Sequence, residues 1–403
     1  MLRCVCVLCS ARQPFKLRVK SLHICVFMTS EGARATSLAG VEDGPSRIHR
    51  RTASFTRCSH FRERVWALFV ITRRDQSMDL RSMLRNKNRE VFPNVTSLLV
   101  GAILLATSIP MAAPARAVDA LQVEEVAPGV FVHQGRYEVF TPQNAGDTSN
   151  SGFIIGNDGV AVVDTGGSAK VGAALLAAIR ARTQLPIKYV INTHMHPDHV
   201  FGNAAFLGEK PTFVGHAKLP RALAARRDRY LAINKELLGD SFAGTQIIGP
   251  TLLVDGKLEL DLGGRKLQLE AEPTAHTDND LIVLDEKTDT LFLGDLLFSH
   301  HIPALDGSIR GWLALLDKLA ERRDVKLAVP GHGPAAMPWP QAMADEKRYL
   351  SKIANDVRSM IKQGKTLSEA AETVGLSEKD AWVLFKEYNA RNVSAAFAEL
   401  EWE

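Results

Sequence analysis

Residues 193–203 read THMHPDHVFGN, and three histidines and an aspartate fall within the six positions from His194 to His199. The chain spends only 12 histidines on 403 residues, so this crowding asks for a chemical reason. Imidazole and carboxylate are preferred ligands of zinc and neighbouring metals, and a turn after a strand can aim alternate side chains to one side. His194 and His196, two apart, share a side. Asp198 and His199 follow one step on, with Pro197 stiffening the turn between the two pairs. Four ligands from one turn could not all close on a single tetrahedral ion without strain. Two adjacent ions would divide them, and would require further ligands at the ends of other strands.

The sequence around the turn supplies such ends. IKYVINT reads as a short buried strand that delivers the chain into His194. His276 lies in TAHTDND, between strands expected at 265–272 and 281–285. Asp295 follows the apolar strand TLFLGD, and His332 follows KLAVPGHG with a glycine on either side to let the backbone come close. Elsewhere SGFIIGNDGVAVVDTG predicts two strands joined at Asn157-Asp158-Gly159, and GVFVHQGRYEVF alternates loosely as strands do. SAKVGAALLAAIRAR predicts a helix capped by Ser168. A helix is expected near 200–207, an Arg-rich one from Pro220 to Leu238, another near 308–320, and helices from about Pro340 almost to the end. Two strand-rich halves, each followed by helices, imply an α/β layered architecture of two sheets packed face to face with helices outside.

With these residues in view, the sequence resembles the metallo-β-lactamase-fold hydrolase superfamily. Its His-x-His-x-Asp-His motif stands at His194, His196, Asp198 and His199. Its later His, Asp and Gly-His-Gly elements match His276, Asp295 and His332, and its early Asp-Thr-Gly matches Asp164, Thr165 and Gly166. The match runs over residues 125–335. The resemblance implies an αββα sandwich with C-terminal helices and a metal centre at one end of the sheets. It implies one ion on His194, His196 and His276, a second on Asp198, His199 and His332, and Asp295 bridging, with Asp164 supporting the site from behind. Two Zn2+ per chain are expected, iron or manganese being alternatives. Paired ions ionise a water and polarise a carbonyl, so hydrolysis of an ester, thioester, lactone or amide of a small-molecule substrate is the implied reaction. Asp198 is the catalytic candidate that would orient the attacking water.

A closer likeness extends over most of 118–403. FVGHAKLPRALAARRDRYL, AHTDNDLIVLDEKTDTLFLGDLLFSHHIPALDGSIRGW and RNVSAAFAELEWE are similar to the exported SoxH-like, or quinoprotein relay system, zinc metallohydrolases. That likeness implies a periplasmic setting and a quinoprotein dehydrogenase as candidate partner. The sulfur-linked setting keeps a mononuclear iron sulfur dioxygenase as an alternative. True β-lactamase activity, and a non-catalytic accessory protein, rank lower.

Charge divides the chain. Residues 1–117 carry 19 Lys/Arg against 7 Asp/Glu, a net of +12, while residues 118–403 carry 30 against 38, a net of −8. The acidic body argues against a nucleic-acid partner. All five cysteines (Cys4, Cys6, Cys9, Cys25 and Cys58) lie in the first part, so the body has neither disulfides nor thiolate ligands. Within 78–117, basic Arg85, Lys87 and Arg89 lead into an apolar run from Leu98 to about Ala113, ending on the small residues around ARA. The run is too short for a comfortable membrane span and is broken by Pro110 and Pro114. This pattern is a signal peptide cleaved near Ala117, giving a periplasmic mature protein with no membrane span. An uncleaved anchor is the alternative. Residues 1–77 read as translated upstream sequence or a basic arm without a fold. The body then divides into a metallo-β-lactamase-fold domain at 118–337 and a helical extension at 338–403 packed on it.

Several other side chains are weighed as candidates. His300 and His301 follow Asp295 closely and could line the mouth of the site. Arg310 and Trp312 in DGSIRGW are candidate substrate contacts. His133 and His216 read as structural, and the stretch Arg221–Arg229 as a solvated helix face with an anionic partner as its alternative.

Overall fold

The computed structural model describes the backbone of two strands in the first part of the chain and residues 119–403. Two compact units are formed, Met1–Met111 and Ala112–Glu403. In the first, β1 (His23–Thr29) and β2 (Gly32–Leu38) pair antiparallel, His23 opposite Leu38 and Thr29 opposite Gly32. Residues 1–77 are expected to be translated upstream sequence or an arm without a fold; of these only the two strands are described, and HICVFMT is a run of β-branched, aromatic and apolar residues, the composition that favours a strand. The segment at 78–117 expected to be a signal peptide lies outside the described residues.

The second unit is built on two sheets. One holds β3 (Glu124–Ala127), β4 (Val130–His133), β5 (Ser151–Ile155), β6 (Val160–Val163), β7 (Ile187–Asn192), β8 (Thr212–His216) and β9 (Leu252–Val254) in chain order. Its strands are antiparallel as far as β6 and parallel from β6 to β9. The other holds β10 (Lys257–Asp261), β11 (Lys266–Ala271), β12 (Leu281–Asp285), β13 (Thr290–Phe298), β14 (Leu327–His332) and β15 (Met337–Pro338). Its β13 and β14 alone are parallel. The helices are α1 (Ala169–Arg180), α2 (Pro197–Val200), α3 (Leu219–Leu238), α4 (Ile309–Ala320), α5 (Ala344–Lys362), α6 (Leu367–Thr373) and α7 (Phe385–Leu400).

The two-residue alternation of the strands sorts side chains into layers. Val130, Val132, Ile154, Ala161, Val163 and Ile191 of the first sheet share one core with Leu267, Leu269, Val283, Phe292 and Val329 of the second. On the outer face of the first sheet, Phe153, Val160 and Val162 pack against Leu175 and Ile179 of α1. Beyond the second sheet, Ile282, Leu291 and Leu293 share a core with Trp312 and Leu316 of α4, Tyr349 and Ile353 of α5, and Val393 and Phe397 of α7. The result is an αββα sandwich whose C-terminal helices join its second outer layer. Each fully buried Leu, Ile or Phe of that layer contributes about 1.5–3 kcal/mol.

Local chemistry sets the ends of the elements. Ser168 Oγ accepts from Val171 N–H at 3.2 Å and opens α1, and Ser308 Oγ accepts from Gly311 N–H at 2.9 Å and opens α4. The helix expected near 200–207 is a 3-10 helix over Phe201–Glu209. The alternation of 129–140 supports only β4. Past His133 the chain leaves the sheet, and Gly135 N–H donates to the Asn150 side chain at 3.0 Å instead of to a strand. No helix among the described residues is long and apolar enough to cross a membrane.

Candidate metal centre

Strand ends deliver the site. β7 runs into His194, His196, Asp198 and His199, the last two on the short α2 that Pro197 begins. His276 sits in the connection from β11 to β12, Asp295 lies within β13, and His332 ends the parallel neighbour β14. A Cβ on Gly331 would overlap Asp295 Oδ1 and the β13 backbone, so only glycine lets the two strands close on the carboxylate.

The seven side chains form two groups, His194, His196, His276 and Asp295, and Asp198, His199 and His332, with donor atoms within 4.8 Å of one another. His196 Nδ1 lies 3.0 Å from both His194 Nε2 and His276 Nε2. Asp295 turns one oxygen to each group. Its Oδ2 lies 3.6 Å from His194 Nε2 and 3.4 Å from His276 Nε2. Its Oδ1 lies 3.0 Å from His199 Nε2 and 3.5 Å from His332 Nε2. His332 Nε2 is 3.3 Å from Asp198 Oδ2. Donors held about 2.0–2.2 Å from a tetrahedral ion stand roughly 3.3–3.6 Å apart, close to this spacing.

The protons point the other way. Asp164 Oδ2 accepts from His199 Nδ1 at 2.8 Å and from Thr193 Oγ1 at 2.7 Å, and Asp164 Oδ1 accepts from Thr193 N–H at 2.9 Å. Since the Thr193 hydroxyl proton is given to Asp164, His194 Nδ1 must donate to Thr193 Oγ1 at 3.0 Å. His332 Nδ1 donates to Thr148 O at 2.9 Å, and His196 Nε2 donates to Asp306 Oδ2 at 3.1 Å. These partners assign the tautomers. Four imidazoles thereby present bare nitrogens to the cluster, an arrangement that repels unless a cation sits among them. Buried His199 Nε2 and Asp295 Oδ1 have no hydrogen-bond partner. The donor set fits a metal cofactor.

Charge agrees with the geometry. Burial lowers His276 to about 3 and takes His194 well below the ordinary histidine value. Burial acts the same way on His199 and His332, but the carboxylates around them, Asp295 foremost and then Asp164 and Asp198 for His199 and Asp198 for His332, together outweigh it, lifting His199 well above the ordinary value and His332 to about 9. Burial likewise opposes ionisation of Asp295, and the histidines around it hold its carboxyl well below the usual range. Carboxylates that favour a proton on these imidazoles favour a divalent cation in its place.

A cleft of ≈ 750 Å³ opens onto this centre. His196, Asp198, Asp295 and His332 form its floor, and His301 also lines it. The buried His301 ring stands 4.7 Å from that of His332, and burial holds it down at about 4. Three candidate contacts lie elsewhere. Trp312 is fully buried, donates Nε1–H to Leu296 O at 3.3 Å and backs the His276 ring at 5.3 Å, because the apolar face of α4 turns it inward. Arg310, on the opposite face, is paired with Glu403 at 3.4 Å. His300 is exposed and stacks on Tyr137 at 5.9 Å, its positive φ of 62° turning it away from the cleft wall. His133 bonds Gln122 O and Asp147, and His216 accepts from Lys218 N–H; neither lines the cleft. The solvated reading of Arg221–Arg229 is corrected in part. Arg221 pairs with Asp278 at the surface, but Arg226 and Arg229 face the cleft.

Asp306, Tyr388 and Arg391 were missed by the sequence reading. Asp306 holds His196 and is held by Arg226 at 3.4 Å and Arg391 at 3.7 Å. These charges, against the opposing effect of burial, bring its carboxyl to about 2.

Residues 145–332, which contain all seven donors, match the family model described as metallo-beta-lactamase superfamily. They belong to that superfamily. Over 213 residues the chain is 27% identical to a linear primary-alkylsulfatase of Pseudomonas sp., covering 44% of this chain and 40% of that protein. Over 195 residues it is 26% identical to a probable metallo-hydrolase of Methanocaldococcus jannaschii, covering 47% of this chain and 89% of that protein. Among solved structures, the stereoselective inverting sec-alkylsulfatase of Pseudomonas sp. superposes with a TM-score of 0.55 at 16% identity, over 70% of this chain and 50% of that one. The chain thus spans half or less of either alkylsulfatase. The superfamily domain and its homologues make this chain a metallo-hydrolase relative.

Proposed function

We propose that the protein is a hydrolase that holds two divalent ions, zinc by preference, and cleaves an ester, thioester, lactone or amide. The observation that carries this reading is the set of four imidazoles whose protons are given outward to Asp164, Thr193, Thr148 and Asp306, leaving bare nitrogens around a carboxylate with one oxygen for each group. Two ions bound there supply Lewis acidity and a water acidic enough to ionise near neutral pH.

The chain's own residues do the rest. Asp198 lines the cleft, and its neighbours His199 and His332 keep it ionised against the effect of burial. It therefore acts as an acceptor that orients the attacking water. Tyr388, held protonated by burial up to about 12, offers a hydrogen-bond donor on the facing wall. Phe298 stacks on the His332 ring at 4.9 Å and keeps water from behind it.

Export through the segment at 78–117 and work beside a periplasmic quinoprotein dehydrogenase belong to the same proposal. Metal analysis of the natively purified protein, with chelator-sensitive turnover of an ester, thioester and lactone panel, tests it. Two equivalents of zinc with turnover are expected. One iron per chain and sulfur-dependent oxygen uptake would replace the hydrolase with the dioxygenase. Metal with no turnover, together with tight association to a dehydrogenase, would replace it with the accessory protein.

A further inference from the structure

The cleft wall is graded from charge to oil. Arg226, Arg229, Tyr230, Ile233, Asn234 and Leu237 of α3 all line it. Their spacings of three and one place them on one stripe of the helix. The same face holds α3 to the body towards its ends through Leu219, Ala222, Leu223 and Leu238, with Tyr230 packed against them, and between those anchors it fronts the cleft. From Arg226 to Leu237 it runs about 16 Å at 1.5 Å per residue. The Arg226 end lies against the metal centre, since its guanidinium meets the Asp306 carboxylate that holds His196. Arg391 of α7 reaches the same carboxylate from the other side. The far end is apolar and open: Ile233 is 42% exposed and Leu237 45%, and Val139 across the cleft is 45% exposed.

Large exposed apolar side chains are few, and three gathered at one cleft mark a binding surface. The charges lean positive beside the metal donors. Outside the donor set the cleft holds Arg226, Arg229 and Arg391 against Glu138 and Asp306, within a body that is net −8 over residues 118–403. Neither Arg229 nor Arg391 makes a hydrogen bond among the described residues, and Arg226 uses one nitrogen. Cationic groups focused beside an electrophilic centre select an anion.

We infer that the substrate is an amphiphilic anion, with its anionic group beside the scissile bond at Arg226 and Arg391 and an aliphatic chain along Ile233 and Leu237 towards Val139. This rests on the hydrolase reading for turnover but not for binding. In the ester case the water oxygen bonds to the carbonyl carbon, the acyl carbon–oxygen bond breaks, and the water proton goes to the departing oxygen. In a sulfate ester the anionic group is itself the one cleaved.

The test uses the full chain as isolated with its metal. The probes are decanoyloxyacetate, its neutral amide decanoyloxyacetamide, the short acetoxyacetate, and decyl sulfate. For decanoyloxyacetate kcat/KM should exceed that for the amide and the short ester by at least about tenfold, the scale of one charged contact. Arg226→Gln and Arg391→Gln should collapse the ratio of anionic to neutral ester, through KM for the anion, and Arg391→Lys should restore part of it. Turnover of decyl sulfate alone supports the anion site and moves the scissile bond from a carboxylic ester to a sulfate ester, where water attacks carbon or sulfur and sulfate departs with the balancing proton. Equal turnover of anionic and neutral esters overturns the inference and leaves the hydrolase standing. If no probe is cleaved, calorimetry with decanoate and decanamide decides the anion site, and the hydrolase reading is decided separately by the ester, thioester and lactone panel. A tenfold preference for decanoate that Arg391→Gln abolishes keeps the anion site, and equal binding removes it.

Discussion

Replacing Asp164 with Asn removes one charge from behind the metal centre while keeping the shape of the side chain. Asp164 is buried and accepts three hydrogen bonds, from His199 Nδ1 at 2.8 Å, Thr193 Oγ1 at 2.7 Å and Thr193 N–H at 2.9 Å. Its φ of 56° is one that Asn adopts readily, so no backbone strain is added. An amide oxygen can replace only one carboxylate oxygen. If it faces His199, the NH2 opposes the Thr193 N–H donor. If it faces the Thr193 amide, the NH2 opposes His199 and drives a proton onto Nε2, the nitrogen the cluster needs bare. One or two charge-assisted bonds at about 1.5–3 kcal/mol each put the loss of stability at roughly 2–4 kcal/mol. That lowers Tm by about 3–7 °C for a domain of this size. Loss of such an outer partner weakens a metal site by about 10–100-fold. The assay is a competitive chelator titration, with Tm read in parallel. The His199 side should lose its ion first, and Asp306→Asn should instead weaken the side of His196. An Asp164→Asn protein that holds its full metal complement at wild-type affinity refutes the assignment of proton directions.

Three further outcomes follow from the same structure. Gly331→Ala should lose both stability and metal, because its Cβ would displace Asp295 Oδ1 and press on the β13 backbone; thermal melting and elemental analysis check the pair of results. Arg265→Met leaves the Asp285 carboxylate, bonded at 2.7 and 2.6 Å by the buried guanidinium, without its partner. That should cost about 3–5 kcal/mol in urea unfolding with metal content unchanged. Glu346 is fully buried, accepts Phe298 N–H at 3.0 Å, and is held well above 4.5 by burial and then by the Asp295 charge. A raised carboxyl binds its proton in the folded chain when the unfolded chain has released it, so stability is full below about pH 4.5 and falls as pH rises towards the folded value. Glu346→Gln should match the wild type at pH 4 and exceed it by about 1.4 kcal/mol per pH unit within that window. A constant difference across pH would show Glu346 ionised in the fold.

The donor positions are legible because each of them follows or ends an apolar run: His194 after IKYVIN, Asp295 inside TLFLGD, His332 after KLAVPG. Periodicity locates the strands, and strand ends locate the polar groups. Asp306 escapes this logic, since it lies in a loop with no strand before it. Arg391 and Tyr388 escape it because they sit on a C-terminal helix whose place beside the cleft depends on packing among Tyr349, Val393 and the second sheet. Trp312 was read by residue type alone, although Ile309, Leu315, Leu316 and Leu319 at helical spacing already turn its face inward. Arg226 and Arg229 show the converse. A charged stripe on a helix looks solvated until a cleft is seen beneath it.

The two donor groups are alike in one respect that bears on catalysis. Each has one half-buried member, His196 in the first and Asp198 in the second, and the rest are sealed. These two flank Pro197, which fixes the turn at the start of α2, and all three line the cleft. The sealed donors, locked from behind by Asp164, Thr193 and Thr148, give the centre its rigidity. The open pair faces the substrate, and Asp306 ties His196 to the arginines that would hold it. A substrate anion drawing on Arg226 and Arg391 therefore competes with Asp306 for them, and loosens or tightens His196 as it binds. On this arrangement the metal affinity of the His196 side should depend on whether decanoate is present, while that of the sealed side should not. A chelator titration with and without decanoate that moves both sides equally would show that Asp306 transmits nothing.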